Sequence, residues 1–252
     1  MTKIKFCGMM CEADIKAANE IKPDFVGFVF APKSKRCVSQ SSAEKLKCLL
    51  NPSIKAVGVF VDAPVADVAQ LVRNNVIDVI QLHGSENECF VEELKNELDG
   101  LSSGSLLNQS RNNHLGQVPI IKACRANSAQ DIKETIEFPC DYLLFDNGPG
   151  GTGKKFDWVR LKETMRPSNF EDPLESKTSR CKLQKLANNG CDFRNPFRPY
   201  FLAGGLDAQN VAKAISELHP YAVDVSSGIE TEGTKDIQKM KAFAAAVRKD
   251  EK

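Results

Sequence analysis

Short, almost wholly apolar runs alternate along this chain with longer stretches whose apolar residues recur every three or four positions. The short runs are Ile4–Cys7, Phe25–Phe30, Ala56–Val61, Asp78–Leu82, Pro119–Ala123, Tyr142–Asp146, Tyr200–Ala203 and Ala222–Val225. They are rich in Val, Ile and Phe, and several are apolar on both faces, which predicts strands of a parallel sheet covered on both sides. The longer stretches predict helices over Glu12–Ile21, Ser42–Leu50, Val65–Asn75, Glu88–Leu98, Ala129–Ile136, Asp157–Met165, Ala208–Leu218 and Ile237–Val247. Ser128 and Asp207 stand where N-caps belong. Eight strand–helix units in 252 residues predict a single-domain (β/α)8 barrel, an α/β fold; an open doubly wound sheet would serve with fewer strands.

Two segments interrupt the rhythm. Residues 100–117 are rich in Ser, Asn and Gly, and residues 166–198 mix Pro, Ser, Asn and both charges. Each follows a predicted helix and precedes a predicted strand, so both read as insertions on the face of the barrel away from chemistry.

Composition narrows the functional classes. The net charge of +1 is the small difference between 34 basic and 33 acidic residues, with no basic stripe of the kind nucleic-acid binding needs. No apolar run approaches the ~18 residues of a membrane span. The first strand begins almost at Met1, which leaves no room for a signal peptide, and a cytoplasmic location is expected. Nine scattered cysteines read as reduced thiols, with Cys48, Cys89, Cys124 and Cys140 as core filler. Cys7 and Cys11 lack the second pair or nearby histidine that a metal site requires, so no metal is expected.

In a barrel, side chains at the C-terminal strand ends converge on one mouth. Those ends carry Cys7, Arg36 (after Phe30), Asp62, His83, Arg125, Asp146, Gly204-Gly205 and Ser226-Ser227-Gly228. A thiol and a carboxyl group there make a candidate base and acid. The glycine-rich loops after the last two strands offer backbone N–H groups and following helix N-termini, which suit a phosphate. Gly148–Lys154 also fits seven positions of a nucleotide-binding loop, but Lys155 stands where a magnesium-binding hydroxyl belongs. A substrate loop or lid beside Asp146 is the preferred reading of that segment.

Several stretches together resemble the phosphoribosylanthranilate isomerase family of tryptophan biosynthesis. They are Lys5-Phe6-Cys7-Gly8, Gly27–Arg36, Gln81-Leu82-His83-Gly84, Asp146 with Gly150–Trp158, Leu202–Leu206 and Val223–Glu230. The resemblance covers the chain apart from the two insertions. It implies an Amadori rearrangement of a phosphorylated aminoaldose to an aminoketose, without redox change or cofactor. Asp146 would be the general acid that opens the sugar ring, and Cys7 the general base that takes the C2 proton. Arg36 would hold the anthranilate carboxylate and Asp224 sugar hydroxyls, with the phosphate on Gly204, Gly205, Ser226, Ser227 and Gly228.

Such an acid and base titrate in opposite senses, predicting a bell-shaped pH profile. Adjacency along a strand does not place Lys5 near the sulfur, and a lone His83 reads equally well as structural. The expected partner is a small phosphosugar, with no nucleic acid or membrane, in a monomer or homodimer.

Three rivals predict other things. The related sugar-phosphate isomerase of histidine biosynthesis uses an aspartate as base on its first strand, where this chain has Cys7. A nucleotide hydrolase built on Gly148–Lys154 predicts magnesium-dependent ATP or GTP binding. A non-catalytic phosphosugar-binding barrel needs neither Cys7 nor Asp146.

Overall fold

The structure, a computed structural model, describes residues 1–99, 118–125, 129–146, 161 and 198–249. The segments read as insertions (apart from Arg198), the loop 148–155, the cap Ser128 and nearly all of the predicted helix Asp157–Met165 lie outside the described residues.

Eight parallel strands close into a barrel in chain order: β1 (Lys3–Cys7), β2 (Phe25–Val29), β3 (Lys55–Phe60), β4 (Val79–Leu82), β5 (Ile120–Arg125), β6 (Tyr142–Asp146), β7 (Tyr200–Leu202) and β8 (Ala222–Val225). Closure is made by β1 against β8, where Lys5 pairs with Asp224. The helices α1 (Glu12–Ile21), α2 (Gln40–Leu49), α3 (Val65–Arg73), α4 (Glu88–Asp99), α5 (Ala129–Glu137), α6 (Val211–Leu218) and α7 (Ile237–Arg248) lie between or after the strands. A two-stranded hairpin, β9 (Glu230–Thr231) and β10 (Thr234–Lys235), follows β8 and was not foreseen.

Side chains alternate along each strand, and the two sets build two cores. Phe6, Phe28, Ile80, Phe145 and Leu202 point outward and pack with helix residues such as Ile15, Leu46, Val68, Leu94 and Phe243. Each such buried side chain contributes about 1.5–3 kcal/mol. The other set fills the barrel: Phe25, Val57, Val79, Ile121, Leu144, Phe201 and Ala222 form its lower layers. Phe201 meets Phe25 and Tyr142 edge to face, and Tyr142 stacks on Tyr221, which plugs the N-terminal end. With the floor filled, the open end is the one carrying the strand C-termini.

Two expectations change. Cys48 and Cys89 are exposed, not core filler, whereas Cys124 is buried and Cys140 partly so. The inward stripe of α2 is Ala43 and Leu46, and that of α4 is Val91, Leu94 and Leu98; both thiols fall off those stripes. The helix expected from Ala208 becomes regular only at Val211, because Asp207 Oδ1 accepts the N–H groups of Gln209 and Asn210 in a preceding turn.

Candidate active site

Cys7 ends β1 on the barrel's inner face, against Val29, Ala31 and Val59. Across the ladder lies Gly27, where a Cβ would stand 2.8 Å from the sulfur, so glycine leaves the thiol its room. Ser226 Oγ donates to the Cys7 carbonyl at 3.1 Å and ties β1 to the loop after β8. Burial pushes the Cys7 thiol up, an effect opposed by the charge of Lys5 and reinforced by that of Asp224. The resting state is therefore a thiol.

Lys5, two residues earlier on the same inner face, is fully buried and donates to Asp224 Oδ2 at 2.9 Å. Burial works against its charge, but Asp224 and Cys7 outweigh it and hold the ammonium above the ordinary lysine value. The second oxygen of Asp224 is also buried and has no hydrogen-bond partner among the described residues. The structure thus places Asp224 in a buried ion pair with Lys5, across the β1–β8 seam beneath Cys7.

Asp146 ends β6 on the inner face, partly exposed, with His83 Nε2 at 3.7 Å from Oδ2. Gln81, buried on β4, lies 3.0 Å from His83 Nδ1 and orients the ring. Strand alternation carries Leu144 inward with the lower core, and Asp146, two residues on, shares that direction. Cys7 and Asp146 therefore face the same mouth from strands separated by β7 and β8.

Arg36 is buried, not the surface cation its lysine-rich loop suggests. Its Nε and Nη2 donate to the two oxygens of Glu230 at 2.6 and 2.8 Å. This side-on pairing leaves the Nη1 edge of the guanidinium for another acceptor. Lys235 donates to Glu230 Oε1 at 2.7 Å and to the Ser226 carbonyl at 3.0 Å. Burial alone would raise the Glu230 carboxyl, but the donors from Arg36 and Lys235 prevail and hold it below the usual carboxylate range. Two cations around one carboxylate leave a net positive charge beside Cys7. Glu230→Gln removes the charge that fixes Arg36; KM is expected to rise about tenfold, a loss of about 1.4 kcal/mol in binding, with kcat changed less. Steady-state kinetics check the split.

Gly204 and Gly205, after β7, have φ of 88° and 68°. Asn210 Nδ2 braces the Gly205 carbonyl at 2.9 Å. Ser227–Ile229 form a 3-10 turn after β8. No acceptor meets the N–H groups of Gly204, Gly205 or Ser227 among the described residues. Gly228 lies so near the Leu206 carbonyl that a Cβ would collide with it, so the two loops fit as one cup only with glycine there. Asp207 already occupies amides ahead of α6, which leaves the loop amides to receive an anion. The Ser226 hydroxyl is committed to the Cys7 carbonyl and to Lys235.

Among the expected residues, Cys7, Arg36, Asp224 and Ser226 gather around β1 and β8, the glycine loops adjoin them, and Asp146 faces them from β6. The residues not foreseen are Lys5, Glu230 and Lys235, and His83 belongs beside Asp146. Only the parity of Lys5 with Cys7 was a readable signal.

A model of the N-(5'phosphoribosyl)anthranilate (PRA) isomerase family matches residues 4–101, 103–171 and 183–246. An N-(5'-phosphoribosyl)anthranilate isomerase from Thermoanaerobacter sp. (strain X514) is 38% identical over 252 residues, 98% of each chain. The chain belongs to the phosphoribosylanthranilate isomerase family. A second isomerase of this name, from Lachnoclostridium phytofermentans, is 38% identical over 248 residues, 97% of this chain and 96% of its own. Among solved structures, a phosphoribosylanthranilate isomerase in complex with reduced 1-(o-carboxyphenylamino)-1-deoxyribulose 5-phosphate is 26% identical, with a TM-score of 0.69 over 99% of this chain and all of the other. The phosphoribosylanthranilate isomerase of Thermotoga maritima gives 28% identity and a TM-score of 0.71 over the same shares.

Proposed function

We propose that this chain catalyses the isomerisation of N-(5'-phosphoribosyl)anthranilate to 1-(2-carboxyphenylamino)-1-deoxyribulose 5-phosphate, in tryptophan biosynthesis. Family membership carries the substrate, and the convergence of Cys7 and Asp146 on one barrel mouth carries the chemistry. The phosphate rests on the loop amides of Gly204, Gly205, Ser227 and Gly228, and Arg36 presents its open guanidinium edge to the anthranilate carboxylate. Asp146 protonates the furanose ring oxygen; the C1–O bond breaks as the nitrogen lone pair forms the Schiff base. Cys7, as thiolate, then takes the C2 proton, and the enolamine tautomerises to the ketone. No cofactor enters these steps.

The enzyme works in the cytoplasm as a monomer or homodimer; one solved structure is of monomers generated from a dimeric phosphoribosylanthranilate isomerase of Thermotoga maritima. Purified protein is expected to quench the fluorescence of freshly formed N-(5'-phosphoribosyl)anthranilate in a protein-dependent way. Fluorescence that decays only at the rate of spontaneous breakdown, with the protein folded, would overturn the assignment.

A further inference from the structure

A fully buried ion pair adds little to stability, because removing both charges from water offsets their attraction, and an apolar replacement is often neutral or stabilising. Lys5 and Asp224 are such a pair, in register on the strands that close the barrel, and directly beneath Cys7. Their position accounts for them better than their energy does. Among the charges that favour the thiolate, that of Lys5 weighs most, and Lys5 stands two residues before Cys7 on one strand face. Among the described residues, the other charged groups acting on the sulfur are Asp224 from β8, Lys235 from β10 and Arg36 from the loop after β2. Lys235 is itself occupied by Glu230, and Arg36 is held twice by the same carboxylate. Lys5 is thus the cation next to Cys7 on the inner face of its own strand; Lys3, farther down that face, lies over the Phe25 and Tyr221 rings.

We infer that Lys5 is a positioning residue of the isomerisation: it sets a fixed positive charge under the Cys7 sulfur to steady the thiolate, and Asp224 holds that charge in place and tempers it. When the sulfur loses its proton, the ammonium lies between two anions and loses no partner. This role serves the reading of Cys7 as base, but the charge on the sulfur is measurable without turnover.

The test compares Lys5→Met, Asp224→Asn and the double variant with the unaltered chain, each checked for folding by circular dichroism. The readout is the pH dependence of iodoacetamide labelling at Cys7, followed by peptide mass spectrometry. Lys5→Met is expected to raise the labelling midpoint by about one pH unit or more, the usual effect of losing an opposite charge at 4–6 Å. Asp224→Asn is expected to lower it. In the double variant the midpoint rises by less than in Lys5→Met, because Lys5 outweighs Asp224 in its influence on the sulfur. Should one single variant fail to fold with an orphaned buried charge, the double variant, which carries neither charge, still decides. A folded single variant whose midpoint stays within a few tenths of a unit of the unaltered chain or moves the opposite way, or a folded double variant whose midpoint does not rise, overturns the proposal. Midpoints that shift as expected while Cys7→Ser retains full turnover would keep the charge effect and remove Cys7 as base. Unchanged midpoints remove the charge effect whatever turnover does.

Discussion

Cys7→Ser and Asp146→Asn each lower kcat on the order of 10²–10⁴-fold, while the affinity for a phosphosugar product analogue stays within a few-fold of the original. A serine hydroxyl fits the space beside Gly27 but does not ionise in the working range, so it removes the base and little else. Asparagine keeps the outline of Asp146 and its place beside His83 but lacks the acidic proton that opens the ring. Binding survives because the loop amides and Arg36 are separate from both groups. Turnover kinetics with analogue binding by calorimetry check this, and undiminished kcat in either variant refutes that residue's role.

The pH profile of the unaltered enzyme follows from the raised Cys7 thiol. The productive form has a thiolate and a carboxylic acid, with one proton between them, whereas burial favours the thiol form of Cys7. kcat/KM is therefore level across the range in which the pair holds one proton. It falls as pH rises through the Cys7 value, because both groups are then deprotonated and Asp146 has nothing to donate. Since burial places that value above the ordinary thiol value of about 8.5, the alkaline shoulder is expected there. The bell expected from sequence becomes a broad-topped one. A shoulder at or below neutrality would contradict the assignment.

Gly228→Ala is expected to cost on the order of 10²-fold in kcat/KM, since a methyl group there meets the Leu206 backbone oxygen and forces apart the two loops proposed to hold the phosphate. Displacement by about 1 Å is enough for such a loss when binding of a remote group positions the reacting atoms. The collision is with backbone, so no rotamer change relieves it. Inorganic phosphate should protect this variant against thermal unfolding much less than it protects the unaltered chain. Equal protection would show that the cup tolerates the methyl group.

The barrel was readable because its signal is local and repeated. Phe25–Val29 is buried at every position, as its unbroken apolar run requires, and β3 and β5 differ from expectation by only a residue or two at their ends. α2 begins earlier than expected because Ser39, not a later serine, takes the capping role, accepting the Ser42 amide. The strand-end residues Cys7 and Asp146 were legible for the same reason. What was not legible depends on pairs distant in sequence. Nothing near Arg36 announces Glu230, and nothing near Lys5 announces Asp224. The hairpin carrying Glu230 and Lys235 consists of two-residue strands, too short for any periodicity to register. Asp207 shows the same limit: expected to cap the helix, it stabilises the turn before α6, whose N-cap is Asn210.

Lys5 and Asp224 are 219 positions apart, and Arg36 and Glu230 are 194 apart. A ribosome, working from the amino end, has delivered β1 to β7 before either carboxylate emerges. Until then a lysine destined for the interior and an arginine destined for burial have only water as a partner. Closure of the ring and assembly of the pocket thus coincide, so a stalled or truncated product can neither complete the ring nor process the sugar.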